Sequence, residues 1–207
     1  MKTKNIIACL LLLFAAQVVS AQNNADFLIR AFINQIKSHK NLQLTFNYQI
    51  SPDEKTLIEG QKGKAWLQGE AYRIEMAEQH NISDGKTIWT YLIDEEEVMV
   101  SDAADGTDNT PLKLLHSLDK SYVATLAGID AKGLATVELA NPKGQYKRVT
   151  LKIDTKKIEI KSADIYVEDG SRLTINIEGM KFDQDLDDKF FTFDEKAHPE
   201  VDVIDMR

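Results

Sequence analysis

The sequence predicts a mainly β, α+β fold. The expected architecture is an unclosed antiparallel β-barrel, a strongly curved half-barrel with helices against its concave side. Three observations carry this. Apolar and polar residues alternate in roughly ten separate runs, the period of strands with one buried face. Turn signals such as Asp84-Gly85, Asp169-Gly170 and Pro142 with Gly144 separate those runs. One helical segment precedes the strands and another interrupts them, each with a single apolar face. Such faces must be buried, and the concave side of a curved sheet is the place for them.

Residues 1–21 read as a signal peptide. Lys2 and Lys4 precede the apolar run "IIACLLLLFAA", and Val19 and Ala21 place small residues at cleavage spacing before Gln22. Residues 22–207 then form a single domain, with no repeat, low-complexity tract or linker. A location outside the cytoplasm is the expectation.

The period over 23–40 is helical. Phe27, Leu28, Ala31, Phe32 and Ile36 form a stripe, and Asn23 or Asn24 can cap the start. At "LQLTFNYQI" the period drops to two, with Leu42, Leu44, Phe46, Tyr48 and Ile50 on one face. "GKAWLQ" and "AYRIEM" follow as strands, the second placing Tyr72, Ile74 and Met76 together. The Asp84-Gly85 pair joins "QHNIS" to "KTIWTYLI" as a hairpin, and "EEVMVSD" pairs back. Helix returns at "TPLKLLHSLDKSYVATLAG". Thr110 caps it, Pro111 starts it, Leu112, Leu115 and Leu118 form its apolar face, and Gly128 ends it. Strands resume through "LATVELANP", "YKRVTLKID", "KIEIKSADIYVED", "RLTINIEGMKF" and "FFTFDE".

The chain carries a formal charge of −8, and loss of Lys2 and Lys4 would make it more negative. An acidic surface argues against nucleic acid as a partner and against a polybasic grip on anionic lipid. The single cysteine is Cys9, inside the expected leader, so the mature chain has no disulfide, thiol nucleophile or thiolate metal site.

Candidate chemistry is sparse. "DGKT" suggests a phosphate loop, but that motif needs a glycine five residues before Gly85, where His80 stands. It also needs a helix to follow, and Lys86 opens a strand. His39, His80, His116 and His198 show no metal-ligand spacing, and each reads as a solvent-exposed side chain. No Gly-x-Ser-x-Gly elbow occurs, and the acidic runs Asp94 to Glu97 and Asp183 to Asp188 read as solvated loops. "DAADGTDN" lacks the alternating acidic pattern of a calcium loop. No catalytic residue, metal or cofactor is expected. The apolar residues remain: Trp66, Trp89, Tyr48, Tyr72 and Tyr91 fall on the sheet, either as ordinary core or as the lining of a cavity.

"ISDGKTIWTYLIDEEEV" followed by "NTPLKLL" resembles the LolA family of periplasmic outer-membrane lipoprotein carriers. "GKAWL" before it, "ANPKG" in the middle and "FTF" near the end add to the resemblance, in the same order and spacing. It implies an unclosed barrel with an α-helical lid over an apolar cavity that holds lipoprotein acyl chains. It further implies an inner-membrane lipoprotein-releasing ABC transporter and an outer-membrane acceptor as partners, and a monomeric carrier. The cavity and lid residues would be Phe46, Tyr48, Tyr72, Ile74, Met76, Trp89, Tyr91, Leu112, Leu115 and Leu118. The family's aromatic pair falls on Tyr72 and Ile74. An Arg-Pro that precedes this pair in the family, whose arginine fastens the lid, is replaced by Gln68 and Gly69. Arg73 is near but in strand phase faces away from Tyr72 and Ile74. A binder of another lipid or hydrophobic ligand, and a lipoprotein-sensing interaction domain, are the alternatives.

Overall fold

A computed structural model describes residues 24–53, 56, 60–105, 118, 121–142, 146, 148–167 and 169–207. The expected leader, most of the second helical segment with Leu112 and Leu115, and His116 lie outside the described residues.

Helix α1 spans 24–37. Its buried stripe is Ala25, Leu28, Ile29, Phe32 and Ile33, with Ile36 packed beside it. This corrects the predicted phase, because Phe27 is 66% exposed. Two apolar stripes overlap in "ADFLIRAFINQI". The one spaced 25, 28, 29, 32, 33, 36 keeps every member within a single arc of about 140° at ~100° per residue, whereas Phe27 lies on the far side.

Twelve strands follow among the described residues: β1 (Leu42–Ser51), β2 (Gln61–Gln68), β3 (Ala71–Glu75), β4 (Gln79–Ser83), β5 (Thr87–Leu92), β6 (Glu97–Asp102), β7 (Val123–Ile129), β8 (Leu134–Ala140), β9 (Arg148–Asp154), β10 (Glu159–Tyr166), β11 (Arg172–Phe182) and β12 (Asp202–Asp205). They form one unclosed, curved sheet in the order β12-β6-β5-β4-β3-β2-β1-β11-β10-β9-β8-β7. The β12–β6 pairing is parallel and the others are antiparallel.

Three elements differ from the sequence reading. "VATLAGI" is strand β7, not the end of a helix. Its β-branched Val123, Thr125 and Ile129 suit a pleated edge, and a register shift between Leu126 and Gly128 accommodates the glycine. "FFTFDE" is not a strand: a 3-10 turn, Asp188–Phe191, opens it, and the chain then crosses the outer face of the sheet without a strand partner. Phe191 and Phe193 alternate with polar residues because they are pressed against that face, both buried. Strand β12, short and polar in its alternation, had no sequence signal of its own.

Acidic residues close the turns. Gly85 has φ +90°, and the Asp84 carboxylate accepts the Lys86 and Thr87 N–H groups at 2.9 and 2.8 Å. Asp154 does the same for Lys156 and Lys157, and Asp130 for Lys132 and Leu134. These backbone donors hold Asp130 and Asp154 below the usual carboxylate range.

The core is divided. Over β7–β11 the concave face is filled by α1, whose Leu28, Ile29, Phe32 and Ile33 pack with Val137, Leu139, Val149 and Ile153. On the outer face, Ile82, Val98, Trp89 and Tyr91 are covered by Phe193 and Val201 from the segment after β11. The hollow lies on the concave face beside α1, from β6 through β1 and β11 to β9.

Candidate functional site

Strand register assembles the site. In β1, Leu44, Phe46 and Tyr48 share the concave face, opposite Met180, Ile177 and Ile175 of β11. The β11 residues change parity because one extra residue, Glu178, bulges out against Thr45 and Phe46. On the other side, Leu44 pairs with Ala65 and Ala65 with Ile74, while Leu67 pairs with Tyr72. Phe46, Ala65, Tyr72 and Ile74 form a buried floor, with Tyr72 only 2% exposed.

Above this floor is a cavity of about 550 Å³. Its walls run from Met99 on β6 to Leu151 on β9, and Phe32 of α1 closes one side. Gly63 belongs to the architecture: a Cβ there would stand 2.5 Å from the Phe46 ring, so only glycine lets that ring lie against β2. Among the described lining residues none is charged.

Phe46, Tyr48, Tyr72, Ile74 and Met76 all line the cavity, as does Leu118, the one described member of the expected lid face. Leu118 is 3% exposed and packs into the α1 cluster. Tyr48 directs its hydroxyl to Gln61 Oε1 at 2.8 Å, and burial raises its phenol above the usual range. Trp89 and Tyr91 are corrected: they stand on the outer face. Tyr91 meets Phe193 at 5.3 Å between ring centroids and His198 at 5.5 Å, while Trp89 packs in the same outer cluster. One face of β5 lines the cavity and the other lies under Phe193, with the larger rings on the outer one, so size alone pointed to the wrong face. The cavity-facing residues of β5 are Ile88 and Thr90.

The histidine reading is corrected too. His39 bonds Asp183 at 2.7 Å and stacks on Phe182. His198 stacks on Phe193, and His80 sits edge-on to Tyr91, where burial pushes its imidazole below the usual range. No cluster of three metal-ligating side chains occurs among the described residues. Gln68, at the place of the family arginine, accepts a 3.2 Å hydrogen bond from Asn41 Nδ2. Asn41 also bonds the backbone of Gln184 in both directions, so Gln68 belongs to a knot between the starts of β1 and the outer segment. Arg73 faces outward as its strand phase predicts, bonding Glu75 at 2.8 Å and lying 5.1 Å from the Phe190 ring centroid.

Two groups escaped sequence reasoning. Met99, Met180 and Met206 line the cavity with Met76, so every methionine after Met1 lies there. Gln79, Asn81, Thr90 and Ser101 form a polar corner on β4, β5 and β6. The alternation of "QHNIS" and "TIWTYL" contains this corner, but assigning it requires the register with Tyr72 and Ile74.

The model of the family described as outer membrane lipoprotein carrier protein LolA matches residues 37–194. An outer-membrane lipoprotein carrier protein of Erwinia tasmaniensis is 31% identical over 119 residues, a match spanning 56% of this chain and 56% of that protein. Among solved structures, an uncharacterized conserved protein from Thermus thermophilus covers 85% of this chain and 98% of its own, with a TM-score of 0.57 at 11% identity. A DUF1329 family protein from Desulfovibrio piger covers 86% and 99%, with a TM-score of 0.50 at 14% identity. These two likenesses concern the fold.

Proposed function

The chain belongs to the family of the outer membrane lipoprotein carrier protein LolA, and from that membership we propose that it carries acylated lipoproteins through the periplasm. It takes them from an inner-membrane lipoprotein-releasing ABC transporter and delivers them to an outer-membrane acceptor. The observation that carries this reading is the cavity of about 550 Å³ on the concave face, whose described lining residues are all uncharged. An apolar engineered cavity of ~150 Å³ holds one benzene, about 25 Å³ per carbon. By that measure 550 Å³ takes about 22 carbons, one long acyl chain. Exposing a chain of about 16 carbons to water costs on the order of 12 kcal/mol, which is why such cargo needs a carrier.

The cavity offsets much of that cost without covalent chemistry. Phe46, Tyr72 and Ile74 supply a fixed floor, and flexible methionines adapt to the chain. Leu118 and α1 close the side next to the helix. Release then requires only that the cover move or that an acceptor compete, so the protein acts as a carrier rather than an enzyme.

The test is to purify the protein from the periplasm of cells that express it and identify bound species by mass spectrometry. Recovery of triacylated lipoproteins is the expected result. Recovery of a single free lipid class instead would replace the cargo with that lipid. Recovery of no acylated species, together with no binding of acyl probes in vitro, would end the reading.

A further inference from the structure

We propose that the polar corner of Gln79, Asn81, Thr90 and Ser101 seats the neutral carbonyl that joins an acyl chain to its cargo, an ester or amide. This rests on the acyl-chain reading above and adds a recognition element to it.

The corner is built by three neighbouring strands. Asn81 of β4 pairs with Thr90 of β5, Ile88 of β5 pairs with Ser101 of β6, and Gln79 lies two residues along the same face as Asn81. All four line the cavity at the side furthest from α1, whose Phe32 closes the opposite wall. A chain lying across the cavity therefore meets hydrocarbon at one end and four uncharged polar side chains at the other.

Hydrogen bonding defines what the corner offers. Gln79 Nε2 donates to Asn81 Oδ1 at 2.8 Å, and Thr90 Oγ1 donates to the same oxygen at 3.3 Å. With its oxygen occupied twice, Asn81 is oriented, and its Nδ2 hydrogens have no acceptor among the described residues. An oriented amide donor beside an apolar cavity calls for an acceptor oxygen from the ligand. A chain that covers this donor and excludes water must supply an acceptor or leave it unsatisfied.

The described lining favours a neutral acceptor. None of its residues is charged, so they offer no cation to pair with a desolvated phosphate or carboxylate. An ester or amide carbonyl loses little by the same transfer, because the amide hydrogens replace its water.

The test uses a matched pair of neutral probes, monopalmitoylglycerol and its ether counterpart hexadecylglycerol. They share chain and head and differ in one carbonyl. The wild-type protein should bind the ester about tenfold more tightly, the loss typical of one unmade hydrogen bond to a buried group. Asn81→Leu should erase this preference, so that ester and ether bind with about equal affinity. Equal wild-type affinity for both probes overturns the carbonyl seat while leaving the carrier reading intact. Preference for palmitate or lysophosphatidic acid over the neutral ester overturns it as well. Failure to bind either glycerol probe would count against the seat and the acyl-chain reading together.

Discussion

Ala65→Phe tests whether the hollow sets the length of chain the protein can hold. Ala65 lies on the cavity floor between Leu44 and Ile74, and the added ring points into space rather than packed core. A phenyl ring takes up about 150 Å³ by the benzene measure, the room of about six carbons. Capacity should fall from about 22 carbons to about 16. Below capacity each added CH₂ contributes about 0.8 kcal/mol, a gain of roughly fourfold in affinity. A plot of log affinity against chain length should therefore rise and break, and the break should move to shorter chains in the variant. A 20-carbon probe would lose about four buried CH₂ groups, about 3 kcal/mol or on the order of 200-fold, while a 14-carbon probe would lose nothing. Calorimetric titration with a series of monoacylglycerols reads this directly. A break that stays in place, or an equal loss at every length, would refute the volume argument. Thermal stability gives a second check: filling a void leaves the melting temperature unchanged or raises it, whereas overpacking costs about 1–3 kcal/mol.

Three other outcomes follow from the same geometry. Trp89→Ala should destabilise the fold by about 2 kcal/mol, read from chemical denaturation, because the ring packs on the outer face against Ile82 and Val98. The remaining folded protein should bind acyl probes with unchanged affinity, and weakened binding would place Trp89 at the cavity after all. Gly85→Ala should cost about 1–2 kcal/mol, since φ is +90° and a Cβ there stands 3.1 Å from Glu70 Cβ. Acidification should weaken the fold in two stages. His80 is depressed by burial, so its contribution is complete above its unfolded value near pH 6.5 and declines as pH falls below that. Asp183, depressed first by the hydrogen bond from His39 and then by Lys40 N–H, loses its contribution only as pH falls from about 4 toward its folded value. Melting curves of His80→Gln should lack the first stage and keep the second.

Much of this architecture was legible in local pattern. The alternation of Leu42, Leu44, Phe46, Tyr48 and Ile50 assigns β1 and its concave face without reference to any other strand. Tyr72, Ile74 and Met76 do the same for β3 and the residue after it. Where one face of a strand meets water, period two identifies the other. That condition fails for β5, whose inner face lines the cavity at Ile88 and Thr90 and whose outer face lies under Phe193 at Tyr91. Trp89 and Tyr91 look like cavity residues because they are large, and only pairing through Ser83 to Tyr72 shows otherwise. The same condition explains "FFTFDE". Its alternation records contact with an outer face that is invisible until the sheet is assembled. The phase error in α1 is of another kind, since two stripes of similar strength share one helix and the sheet beneath chooses Ile29 and Ile33 over Phe27 and Ala31.

The four methionines on the cavity wall also bear on redox chemistry. A thioether is the most readily oxidised group in an apolar lining, and the sulfoxide it becomes is polar and chiral. One such conversion at Met76 or Met180 would place a strong dipole in the lining proposed to hold an acyl chain, and Met206, more than half exposed, would be reached first. Oxidation of that exposed sulfur would make the lining more polar at Met206. Enzymatic reduction of the sulfoxide would reverse that change, so the polarity of this lining is tied to the redox state of its sulfurs.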